Sequence, residues 1–139
     1  MNKLFFMLSI LVSTTTINAQ DHNDEYLAIS NTLDYYLTGG TNNDFLMLAK
    51  AFHSSATMKF VNNDGYKEVN ALEFFKAGMK PGPKQQRTTK IVFIDVSGNS
   101  ASAKLRISYD GFSFHDYMQL LKIDGEWKIT SKIFYKEIK

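Results

Sequence analysis

The chain has 139 residues, 44% of them hydrophobic and 14% aromatic, with 16 basic against 14 acidic side chains and no cysteine. That length suits one domain with one core, and the near balance of charge argues against nucleic acid or an anionic membrane as partner. The missing thiol excludes disulfides, thiolate metal sites, a cysteine nucleophile and the lipid-bearing cysteine of a bacterial lipoprotein.

Lys3 opens a short basic segment, Leu4–Val12 is apolar, and Ile17-Asn18-Ala19 fits a cleavage site with an aliphatic residue and a final Ala. This predicts a secretory signal peptide over 1–19, cut before Gln20, because the apolar run is too short to span a bilayer. The expectation is an exported protein, periplasmic or secreted, with one domain over 20–139 and no membrane segment once the signal is removed.

Asp24–Thr38 reads as a helix, since Tyr26, Ile29, Leu33, Tyr36 and Leu37 form one stripe at a 3.6-residue period. Gly39-Gly40 reads as its stop. Asn42 or Asn43 can cap a second helix running to about Phe52, with Leu46, Ala49 and Phe52 facing inward. Ala56–Val61 and Tyr66–Val69 read as strands around the turn cluster Asn62–Gly65. Asn70 with Glu73 three residues on resembles a capping box. The helix it opens should end near Gly78, before Pro81-Gly82-Pro83, and bury Leu72, Phe75 and in part Phe74. Lys80–Gln86 is a loop.

From Arg87 the period changes to two. Gly98-Asn99, Asp110-Gly111 and Asp124-Gly125 each read as a two-residue hairpin turn, the Asp-Gly pairs as type I′ with φ > 0 at both positions. Pairing through all three turns puts one apolar set on one face: Val92, Ile94, Ala103, Leu105, Ile107, Tyr109, Phe112, Phe114, Met118, Leu120, Trp127, Ile129 and Ile133. The other face carries Lys104, Arg106, Ser108, His115, Tyr117, Gln119, Lys128, Thr130 and Lys132, with Phe93 and Phe134. Helices segregated to one side of an antiparallel meander define an α+β class.

Ala51-Phe52-His53-Ser54-Ser55-Ala56, the helix at Ala71–Gly78, and Asp116–Lys122 followed by Asp124–Ile129 resemble the nuclear transport factor 2-like superfamily. The last stretch looks most like its exported bacterial "putative lumazine-binding" branch, close to polyketide-cyclase-like relatives. The resemblance implies a cone-shaped fold, three N-terminal helices packed on a curved, mainly antiparallel sheet. It does not imply one function, because the superfamily hosts enzymes and non-catalytic binding modules. Its ketosteroid isomerase members use a helix tyrosine, a carboxylate base and a late protonated carboxyl. Tyr36 matches the first, but Phe60 and Met118 fall at the other two, so that activity is not implied.

Asp116 is the sharpest candidate, a carboxylate in mid-strand on the apolar face. It must be hydrogen-bonded, protonated or beside a polar cavity. One reading makes it an acid/base or ligand anchor. Another makes it a structural acceptor for a helix hydroxyl such as Tyr36, or a strand-edge residue that reaches water. His115 and Tyr117 point to the opposite face. Tyr36, Phe60, Tyr109, Phe112, Phe114, Met118 and Trp127 can line a pocket for a flat ring, or pack as plain core, and Ser131 can supply a hydroxyl. Arg87 and Lys90 fall near the mouth and read as solvated charges. Three scattered histidines give no metal spacing, and no cofactor is expected. Three functions stay open: a non-catalytic domain for a small apolar or aromatic ligand, oriented by Asp116 and Tyr36; an isomerase, cyclase or dehydratase-like enzyme with Asp116 as acid/base; and a structural module. The module would form a homodimer through outer-face Tyr117, Thr130, Lys132 and Phe134, and that dimer is compatible with either other function.

Overall fold

The stripe of the first helix is realised in α1 (Ile17–Thr41) at Ile29, Leu33, Tyr36 and Leu37, all buried, while Tyr26 is 40% exposed. The structure is a computed structural model that describes residues 17–139; the signal peptide expected over 1–19 falls almost wholly on residues outside that range. The helix runs through Gly39-Gly40 instead of stopping there. A Cβ on Gly39 would lie 2.5 Å from the Leu48 backbone nitrogen, and one on Gly40 2.5 Å from Arg87 Nη2. The two glycines permit close approach; they are not a C-terminal signal.

Asp44, not Asn42 or Asn43, caps α2 (Phe45–Ala49), its carboxylate accepting from Met47 N at 2.9 Å. The later cap rotates the buried face. Leu48 is buried and Leu46 is 78% exposed, and Phe52 opens a strand instead of closing the helix. Strands β1 (Phe52–Asn62) and β2 (Gly65–Asn70) pair antiparallel around Asn63-Asp64. Asn70 then caps α3 (Ala71–Gly78) by accepting from Glu73 N at 3.0 Å, as its sequence predicts. Phe75 is half-buried, while Phe74 is exposed.

Strands β3 (Thr88–Ser97), β4 (Ser100–Ser108), β5 (Phe112–Ile123) and β6 (Glu126–Ile138) form the meander. The sheet order is β2-β1-β6-β5-β4-β3, with β1 and β6 the parallel pair. The result is α+β: three helices against one face of a curved, open, six-stranded and mostly antiparallel sheet.

All three hairpins close where the sequence places them, at Ser97↔Ser100, Ser108↔Ser113 and Ile123↔Glu126. Their turn types differ. Asp124 (φ 50°) and Gly125 (φ 83°) are both left-handed, whereas only Gly98 is in its turn. Neither Asp110 nor Gly111 has positive φ, so that loop is not type I′; Tyr109 N donates to Phe112 O across it.

Two bulges break the parity inferred from the turns. In β3, Ile91 and not Val92 lies opposite Leu105, and Val92 is 43% exposed. In β6, Gln119 faces Ser131 and Leu120 faces Ile129, leaving Thr130 as the extra residue. Beyond it Lys132 lies opposite Met118 and Phe134 opposite Asp116. Ile133, expected in the core, is 50% exposed, and Lys132, expected outside, is buried. One added residue reverses every side chain after it. The outer-face dimer surface therefore loses Lys132 and Phe134, which turn inward.

Candidate ligand cavity

Asp116 is fully buried on β5. A carboxylate there costs several kcal/mol unless it is partnered. Tyr36 on α1 donates its hydroxyl to Asp116 Oδ2 at 2.7 Å. Lys132, delivered by the Thr130 bulge, forms an ion pair with Asp116, Nζ lying 2.6 Å from Oδ1. The ammonium also sits 4.5 Å from the centre of the Phe134 ring and 5.6 Å from that of Tyr36. Burial pushes the Lys132 amine below its usual range, opposed by the Asp116 charge. Burial, then the negative charge of Asp116, pushes the Tyr36 phenol well above its own. Asp116 is thus an acceptor for a helix hydroxyl, as one sequence reading had it, with a lysine that the sequence did not reveal.

In front of this pair lies a cavity of about 250 Å³. Tyr36 and Lys132 reach its surface. Phe75 and Met79 line it from the helix side, Met58, Ile107, Phe114 and Phe134 from the sheet. The aromatic rings brace one another edge to face: Phe114 lies 5.7 Å from Phe134 and Tyr36 lies 5.6 Å from Phe52. The lining turns polar where the loop after α3 joins β3, at Gln85, Arg87 and Tyr109.

Arg87 is not a solvated charge. Nε donates to Thr41 Oγ1 at 2.8 Å, Nη1 to the Tyr109 hydroxyl at 2.9 Å and Nη2 to Leu37 O at 3.0 Å. The Tyr109 hydroxyl donates in turn to Gln85 Oε1 at 2.6 Å. Gln85 Nε2 donates to Gly40 O and Asn43 Oδ1. The guanidinium packs close against the end of α1 because Gly40 has no side chain there.

Of the residues singled out in the sequence, the structure brings Tyr36, Tyr109 and Phe114 onto the cavity wall, with Asp116 directly behind Tyr36 and Lys132. Phe60 backs the wall, 5.0 Å from Phe134 ring to ring. Phe112 stacks on Tyr109 from outside. Met118 is packed core. Trp127 is remote: its Nε1 donates to Glu25 Oε2 at 2.6 Å. Ser131 follows the bulge and lies off the wall. Arg87 lies at the cavity, near where the sequence reading puts it, though not as a solvated charge; Lys132 and Phe134 were read as outer-face residues, and Gln85 was missed. For Phe134 a signal exists, since adjacent Ile133 and Phe134 leave both parities of β6 open. Among the described residues, no three His, Cys, Asp or Glu cluster as metal ligands do.

Residues 24–135 match the family described as putative lumazine-binding. The chain belongs to this family. An NTF2-like protein of unknown function from Shewanella baltica OS155 is 31% identical, with TM-score 0.76 over 85% of this chain and 98% of that one. Another from Methylobacillus flagellatus KT is 24% identical, with TM-score 0.71 over 89% and 98%. A ketosteroid isomerase-like protein from Erwinia carotovora atroseptica, 13% identical with TM-score 0.65 over 82% and 97%, shares the fold. No curated protein matches the chain. The family match covers every residue that lines the cavity of this putative lumazine-binding member, from Tyr36 to Phe134.

Proposed function

We propose that the protein is an exported, non-catalytic binding domain that holds a small ring-bearing molecule between α1, α3 and the sheet. The observation that carries this reading is the cavity itself: aromatic and apolar walls with a few fixed polar groups, the usual make-up of a ligand site. Its volume lies just under the common range of roughly 300–1000 Å³, which limits the occupant to one or two rings. Lumazine, for which the family is named, is a flat two-ring molecule and the natural first probe. Export rests on the leader read from the sequence over 1–19.

Catalysis by Asp116 is the weaker reading. An acid/base must touch its substrate, and this carboxylate is covered by Tyr36 and Lys132. The test is thermal unfolding of wild type and Ile107→Phe, which fills the cavity, with lumazine and a panel of one- and two-ring aromatics. At least one compound should raise the wild-type Tm through binding to the folded state, and the same compound should do little for Ile107→Phe. If no compound stabilises the wild type, or both proteins respond alike, the cavity is not the binding site.

A further inference from the structure

We infer that the cavity selects an aromatic carboxylic acid, its carboxylate received by Arg87 and its ring by the walls. This rests on the ligand-binding reading above and adds the ligand's charge.

The cavity's charges do not cancel. Lys132 and Arg87 both line it, and Asp116 behind it is one carboxylate. Asp116 is spent on Lys132, 2.6 Å away. Every hydrogen bond that the Arg87 side chain makes among the described residues goes to a neutral acceptor: a threonine hydroxyl, a tyrosine hydroxyl and a backbone carbonyl. A guanidinium stays ionised at any physiological pH. One positive charge is therefore held half-buried among neutral polar groups, with no counter-anion among the described residues. The Arg87 field also opposes protonation of Lys132, so the two cations repel across the same cavity and an anion between them would relieve both.

The geometry suits a planar monoanion. Three hydrogen bonds fix the guanidinium plane, and Gly40 admits it against α1. Nη1 and Nη2 have each donated one N–H, so each keeps another to offer an anion. The neutral groups on that side are already engaged. The Tyr109 hydroxyl donates to Gln85, and the Gln85 amide donates to Gly40 O and Asn43 Oδ1. A neutral heterocycle would find few free partners there. One surplus charge matches one carboxylate better than a doubly charged phosphate. Beyond the guanidinium, Phe75, Phe114, Phe134, Met58 and Met79 give the ring of the ligand an apolar surface.

The experiment is calorimetric titration of wild type, Arg87→Gln and Arg87→Lys with two matched pairs, 2-naphthoate with 2-naphthamide and benzoate with benzamide. In each pair the members share ring and shape and differ in charge. In the wild type at least one acid should bind tenfold or more tighter than its amide. Arg87→Gln should bring that ratio near one by weakening the acid and not the amide, and Arg87→Lys should keep part of it. If the amides bind as well as the acids, the charge inference fails while the cavity reading stands. A preference for acid that survives Arg87→Gln removes Arg87 from the role. If no acid or amide binds and the aromatic panel raises no Tm, both readings fall together. Should Arg87→Gln not fold, the wild-type ratio and its change in Arg87→Lys decide.

Discussion

Lys132 and Asp116 are buried together and depend on each other. Removing one partner of a buried pair leaves an uncompensated charge, at a cost of roughly 3–5 kcal/mol, whereas replacing both with apolar or neutral groups costs far less. Asp116→Asn and Lys132→Met should each lower stability by that order in urea unfolding, and the double variant by clearly less than their sum. At the other end of the domain, Glu25 accepts from Lys122 Nζ and Trp127 Nε1, and these bonds hold its carboxyl below the usual range near 4.5. A depressed carboxyl contributes stability above its unfolded pKa and loses it as the pH falls through the folded value. The urea midpoints of wild type and Glu25→Gln should therefore differ at pH 7 and converge as the pH drops below 4.5. At this scale the sequence reveals a carboxylate more readily than its partner. Asp116 stands out because it interrupts an apolar parity. Lys132 does not, because the parity of its own strand changes two residues earlier.

Turns and bulges decide how far a pattern can be carried along an element. Loop positions and lengths were legible, since each Gly-Asn or Asp-Gly pair separates two alternating runs. Turn type was not, because Asp110-Gly111 has the same composition as Asp124-Gly125 and a different backbone. The difference is measurable. Gly125→Ala forces an L-residue into the left-handed region (φ 83°) and should cost about 1–2 kcal/mol. Gly111→Ala meets open space without positive φ, and should be neutral or stabilising by up to about 1 kcal/mol. The bulges at Val92 and Thr130 left no local mark, since a bulge is a property of two strands. Gly39 was visible as a glycine and misread as a helix end. What it answers to is a long-range contact, the Leu48 backbone 2.5 Å from where its Cβ would be. Gly39→Ala gains up to about 1 kcal/mol of helix propensity, yet should lose about 1–3 kcal/mol net as α2 is pushed away; chemical unfolding reads the sign.

For the whole molecule, the fold was readable because independent signals agree: one helical stripe, one cap at Asn70, three turns and one shared apolar face. The cavity was not readable, because it is the space that packing leaves. Whether Phe75, Met79 and Phe134 close over a gap or fill it depends on the curvature of the sheet and on which residues the bulges turn inward. The sequence suggested a ring of aromatics including Trp127; the structure puts Trp127 at the opposite end, held by Glu25. A carboxylate held by Arg87 would offset the one surplus charge of the group Arg87, Lys132 and Asp116. The most direct measurement is a carbon-13 methyl spectrum of the methionine-labelled protein during titration with 2-naphthoate. Met58 and Met79 line the cavity, and Met47 on α2 does not. Saturable shifts at Met58 and Met79, with Met47 little changed, are the expected result. Unmoved Met58 and Met79 signals at saturating ligand, or shifts confined to Met47, would contradict it.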